Sequence, residues 1–111
     1  MKAADVSQVI KDQIGSSKSL PNSHGVVLHR CLTTPTLIKV IHRKVIGGKT
    51  KDSIETVWLV LEERSGDEDG YKIIFNEQRN SFGLVSAGFP KDSHPVLCGY
   101  YGDFPTALAC M

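Results

Sequence analysis

Apolar and polar positions alternate in two different rhythms along this chain. Ala3, Val6, Val9, Ile10 and Ile14 recur at steps of three and four, which puts them on one face of a helix over 3–14. Gly15 follows, where a residue of positive φ can close that helix. In "NSHGVVLHRCL", Asn22 or Ser23 can cap and Val27/Cys31 and Leu28/Leu32 form i,i+4 pairs ahead of Pro35. This predicts a second short helix over 23–32, although the valines also suit a strand.

From Thr36 the rhythm changes. "TLIKVIHRKV" and "IETVWLVLEER" are rich in β-branched and aromatic residues, with the turn-forming "IGGKTKDS" between them. They predict strands over 36–45 and 54–64. "YKIIFN" sets Tyr71, Ile73 and Phe75 against Lys72 and Asn76, the pattern of a half-buried strand over 71–76. "SFGLVSAG" predicts its hairpin partner over 81–88, and "PVLCGYY" a fifth strand over 95–101. In "GDFPTALACM", Asp103 can cap and Pro105 can enter the first turn of a closing helix over 104–110.

Strands that follow one another without intervening helices pair mainly antiparallel. The expected architecture is α+β: a five-stranded meander with helices packed on one face. A chain of 111 residues has room for one core, so residues 1–111 are expected to form a single domain.

Composition narrows the class. Apolar residues make up 41% and charged residues 23%, with a net charge of +1. Such a chain buries enough apolar surface to fold and carries no global field toward nucleic acid or anionic lipid. No apolar run approaches the about 20 residues of a membrane helix, and "MKAADVSQVIKDQIG" has charges where a secretion signal has its apolar stretch. Three widely spaced cysteines, Cys31, Cys98 and Cys110, do not make a disulfide framework. A reduced cytoplasmic protein without membrane contact is expected.

The candidate chemistry is thin. His24, His29, Cys31, His94 and Cys98 raise the question of a metal or thiol site. On a helix, His29 and Cys31 point about 200° apart, and the other spacings do not match close ligand pairs. Cys98, mid-strand beside Val96, Leu97 and Tyr100, lacks the cationic setting of a reactive thiol. Both cysteines are expected to be buried small side chains. "GGKT" at 47–50 resembles the end of a phosphate loop, but Arg43 stands where the first glycine belongs. Glu62 and Glu63, adjacent on a strand, face opposite ways. Tyr100 and Tyr101 are expected to be one buried and one exposed ring. No catalytic residue, metal or cofactor is assigned.

Charge placement is the feature that remains. Lys39, Arg43, Lys44, Lys49 and Lys51, with His42 among them, form a basic stretch free of acids. Glu62, Glu63, Asp67, Glu68 and Asp69 form an acidic one. If 36–45 and 54–64 pair as a hairpin, bases gather at its turn and acids at its other end. These ten residues are the candidate binding positions, because separated charge speeds encounter and selects a partner of opposite sign.

The stretch "VWLVLEE…DGYKIIFNE…FGLVSAGFP…GYYGDFPTALACM" resembles small bacterial cytoplasmic proteins, some similar to the immunity proteins of polymorphic toxins. The likeness covers residues 57–111 and rests on Trp58, Gly70, Tyr71, Phe82, Gly83, Gly99, Gly102 and Phe104, which specify fold more than function. It implies a non-enzymatic, immunity- or antitoxin-like module that holds another protein. The alternatives are a nucleic-acid binder acting through the basic hairpin 39–51, and a Cys/His thiol or metal protein.

Overall fold

The computed structural model describes residues 1–15, 31–63, 70–86 and 94–111. Its elements are helix α1 (Ala3–Ile14), strands β1 (Leu32–Ile46), β2 (Lys49–Glu62), β3 (Lys72–Asn76), β4 (Ser81–Ser86) and β5 (Val96–Gly102), and helix α2 (Phe104–Ala109). The α+β class, the first helix and the order of five strands match the sequence expectation. The expected helix over 23–32 falls mostly outside the described residues, and Leu32 already belongs to β1. Pro35 therefore sits inside a strand rather than behind a helix, at the register shift between Leu32 and Thr36, where no ladder N–H is needed.

The expected open meander is corrected in one respect: the sheet closes on itself, in the order β1-β2-β3-β4-β5. Neighbours along the chain pair antiparallel. An up-and-down path of five strands brings the fifth back parallel to the first, so the closing pair must be parallel. It is a single contact, Ile41 beside Val96, with the Ile41 N–H donating to Pro95 O at 2.8 Å. Bending comes from register shifts at Leu59/Leu61, Phe82/Gly83 and Leu84/Val85, since each extra residue kinks its strand.

Closure gives the sheet two buried faces. The inner face packs Val40, Val57, Ile74 and Val85 with Ile38, Leu59, Leu97 and Tyr100. The outer face of β2, β3 and β4 carries Trp58, Val60, Ile73, Phe75, Phe82 and Leu84 against Val6 and Ile10 of α1 and Phe104, Ala107 and Leu108 of α2. Phe82 stacks between Phe75 and Phe104, at ring separations of 4.7 and 5.6 Å. β3 is thus buried on both faces from Ile73 to Asn76. The half-buried alternation expected of "YKIIFN" is overturned, because the barrel interior takes the residues expected to face water.

The helices are held by local chemistry. Asp5 accepts from the Lys2 backbone N–H at 2.7 Å at the start of α1, and Gly15, at φ 65°, closes it onto Lys11 O. Asp103 accepts from the Thr106 N–H at 2.8 Å at the start of α2. Gln13 joins the two helices, its Oε1 accepting from the Phe104 N–H at 2.7 Å.

Candidate functional site

The β1–β2 hairpin is longer than the barrel. β1 meets β5 only at Ile41, and β2 meets β3 only from Trp58 onward. Beyond those points the two strands have, among the described residues, only each other as ladder partners, and they project as an arm. The longest dimension of the molecule is 45 Å, against 28 and 22 Å across. "IGGKTKDS" is not a loop, since the turn is only Gly47 and Gly48, at φ 58° and 77°. Two positive φ values match the right-handed twist of the flanking strands, so the ladder runs up to Ile46/Lys49.

Cross-strand partners in an antiparallel pair share a face, so register sorts the arm. One face continues the barrel interior: Ile38/Val57, Val40/Glu55, His42/Ser53, Lys44/Lys51 and Ile46/Lys49. The other carries Leu37/Trp58, Lys39/Thr56, Ile41/Ile54, Arg43/Asp52 and Val45/Thr50. Lys44, Lys49 and Lys51 therefore come together on the inner face, with Ile46 beside them. Lys39 and Arg43 lie on the opposite face, and Arg43 makes a two-pronged ion pair with Asp52, at 2.9 and 3.0 Å. Glu62 ends β2 and Glu63 follows it, at the far end from the turn. Asp67, Glu68 and Asp69 lie outside the described residues.

The arm is also apolar. Leu37, Val45, Ile46 and Ile54 are all more than half exposed, and together they are four of the six large apolar side chains exposed among the described residues.

Where the arm joins the barrel, the inner face turns from apolar to polar. Glu55 is the hub. Its Oε1 lies 3.2 Å from His42 Nδ1 and 3.6 Å from Arg79 Nη2, and its Oε2 accepts from the Tyr100 hydroxyl at 3.1 Å. Asn76, buried at the end of β3, donates from Nδ2 to the Tyr100 oxygen at 2.9 Å. Its Oδ1 accepts from the Gln78 and Arg79 backbone N–H groups, which folds the β3–β4 turn and brings the Arg79 guanidinium over the Tyr100 ring, 4.9 Å from its centre. Burial, then the charge of Glu55, pushes the Tyr100 hydroxyl above the ordinary tyrosine pKa, against the lowering effect of the Asn76 bond. The mouths of β-barrels are common places for polar groups to converge on a ligand. By contrast, the cavity of about 180 Å³ between α1 and the start of β1 is lined by Ser7, Ile10, Lys11, Ile14, Leu32 and Thr33 and brings together no such set.

Sequence reasoning missed this mouth. His42, Glu55, Asn76, Arg79 and Tyr100 come from four strands and a turn, and no spacing joins them. Two signals were present: His42 and Glu55 mark where the apolar run of that face, Ile38, Val40 and Val57, gives way to polar residues, and "FNEQRN" carries an Asn able to fold a turn.

The cysteines also differ from expectation. Cys98 and Cys110 are exposed and Cys31 is half-buried, its Sγ donating to Glu63 O at 3.7 Å. The helices cover the outer face of β2 to β4 and leave Cys98 on β5 to solvent. Tyr100 and Tyr101 are both half-buried, on opposite faces of β5, rather than one sealed and one free. Among the described residues no three His, Cys, Asp or Glu side chains gather as a metal group. His24 and His29 lie outside them. No described helix is long and apolar enough to cross a membrane.

No family model matches the chain, and neither a curated protein nor a solved structure resembles it significantly.

Proposed function

We propose that this protein is a non-enzymatic binding module whose β1–β2 arm grips another, acidic protein through a basic and apolar surface. The observation that carries this reading is the arm's mixed surface: Lys44, Lys49 and Lys51 on one face, and Leu37, Val45, Ile46 and Ile54 exposed along the same hairpin. Exposed apolar side chains rimmed by charge favour a protein partner. A nucleic-acid grip would favour aromatic stacking platforms, and the arm beyond Trp58 has none. Among the described residues neither edge of the arm carries a further strand, and such an edge can accept an added one. Lysines along such an edge oppose pairing with a second copy of the same arm, so the surface selects a different chain. An immunity- or antitoxin-like role in the bacterial cytoplasm, holding a toxin, is the specific form of this proposal.

Co-expression with the product of the adjacent open reading frame tests it. The expected result is a complex that survives purification and is lost when Lys44, Lys49 and Lys51 are replaced by Glu. A complex unaffected by that triple change would remove the arm from the interface. A salt-sensitive gel shift abolished by Lys49→Glu with Lys51→Glu, and no protein complex, would favour nucleic acid instead.

A further inference from the structure

The barrel mouth holds a carboxylate whose surroundings suggest a second one. Glu55 sits at an inward strand position with its side chain only 18% exposed, where an unpaired charge would be costly. It is held from three directions, by His42, Tyr100 and Arg79. In return it occupies Nδ1 of His42. The side chain of His42 is 19% exposed, and Nε2 has no hydrogen-bond partner among the described residues. The imidazole is thus clamped at one nitrogen and presents the other at the mouth, the arrangement by which a carboxylate orients a histidine toward a ligand.

We infer that this mouth is a carboxylate-binding subsite that takes one Asp or Glu side chain of the acidic partner on His42 Nε2, flanked by Lys44, Lys51 and Arg79. The inference rests on reading the arm as a grip for an acidic protein. Lys44 is two residues beyond His42 on the same face, and Lys51 is the cross-strand partner of Lys44, so the strand positions of both lysines lie about 7–8 Å from that of His42, within reach of long side chains. Around His42, β1 contributes Lys44, β2 contributes Glu55 and Lys51, the β3–β4 turn contributes Arg79, and β5 contributes the un-ionised Tyr100. Glu77 in that turn is engaged by the N-terminal amine at 3.4 Å. One carboxylate thus faces three fixed cations, and a fourth when the imidazole is protonated. Protonated Nε2–H donates a charge-assisted bond to the incoming oxygen, so a bound carboxylate favours the protonated imidazole.

The test uses the intact chain. The His42 ring resonance, assigned by its loss in His42→Gln, is followed against pH in sodium acetate, in a hexaglutamate peptide and in sodium chloride at equal ionic strength. Acetate and the peptide should raise the His42 titration midpoint and shift the Tyr100 ring signals saturably, and Lys51→Ala and Arg79→Gln should diminish both effects. Arg79 lies on an exposed turn, so that variant keeps the test open if His42→Gln fails to fold. A midpoint and Tyr100 signals no different from those in chloride would overturn the subsite. Inorganic phosphate acting more strongly than acetate would overturn its assignment to carboxylates. Lys49→Glu, at the arm's tip, should leave the acetate response intact while weakening the protein complex, so failure of the arm and failure of the mouth read out separately.

Discussion

The Tyr100 hydroxyl crosses the barrel interior to donate to Glu55 Oε2 at 3.1 Å while accepting from Asn76. One phenol thereby joins β5, β2 and β3 at the end where the arm leaves the barrel. Tyr100→Phe leaves a half-buried carboxylate and a buried amide each short of a partner, at an expected cost of about 1–3 kcal/mol. Urea melts of the two proteins measure it, and equal midpoints would show that the network contributes nothing to folding.

The same hydroxyl sets an alkaline limit. Its pKa is raised in the folded protein, chiefly by burial. The stability this contributes is fully present below the unfolded tyrosine value and declines as pH rises through the folded one. Stability should therefore fall above about pH 10, and Tyr100→Phe should remove that part of the fall. An unchanged alkaline slope in the variant would reject the assignment.

Gly83 and Gly99 separate two kinds of crowding. A Cβ on Gly83 would meet Gly99 O at 2.7 Å, backbone against backbone, so Gly83→Ala must push β4 away from β5. The expected loss is about 1–3 kcal/mol. A Cβ on Gly99 would meet only the ring end of Tyr101, at 3.3 Å or more, and the half-buried side chain can move. Gly99→Ala should cost clearly less, and thermal melts that rank the two the other way would contradict this geometry.

At the arm's turn the limit is the backbone alone. A Cβ on Gly47 or Gly48 meets nothing within 4 Å, yet both hold positive φ. Gly48→Val should cost about 1–2 kcal/mol, whereas Gly47→Asn should be nearly neutral because Asn tolerates that region. Differential melts compare the pair, and equal costs would mean that the turn relaxes freely.

Asp103 ties α2 to its own first turn. Its carboxyl is held below the ordinary value by the Thr106 hydroxyl first and the Thr106 N–H second. A depressed pKa stabilises above the unfolded value, and that contribution is lost as pH falls through the folded one. Asp103→Ala should lower the melting temperature near neutrality by removing the cap and flatten the acid limb of stability. A cost that persists undiminished in acid would point to another cause.

Much of the fold was legible because its signals are local. The three- and four-residue steps of Val6, Ile10 and Ile14 act within one helix, and the Asp103 cap within one turn. The mouth was not legible, because Glu55 meets Tyr100 only after four strands have curled through the register shifts at Leu59/Leu61, Phe82/Gly83 and Leu84/Val85. Burial misled for a related reason. Alternation in "YKIIFN" assumes one wet face, and closure removed it, while Cys98 sits at a position of β5 that stays exposed although α2 packs on the same strand.

The amino-acid order alone determined α1, the capped α2, five strands and their antiparallel succession, since each depends on residues a few positions apart. It also placed Lys44, Lys49 and Lys51 in one stretch. Tertiary structure decided that the sheet closes, that those lysines share a face with His42 while Arg43 is spent on Asp52, and that five polar side chains meet at the mouth. Strand register and curvature set these, and both arise from contacts between segments too distant in sequence for any local pattern to encode.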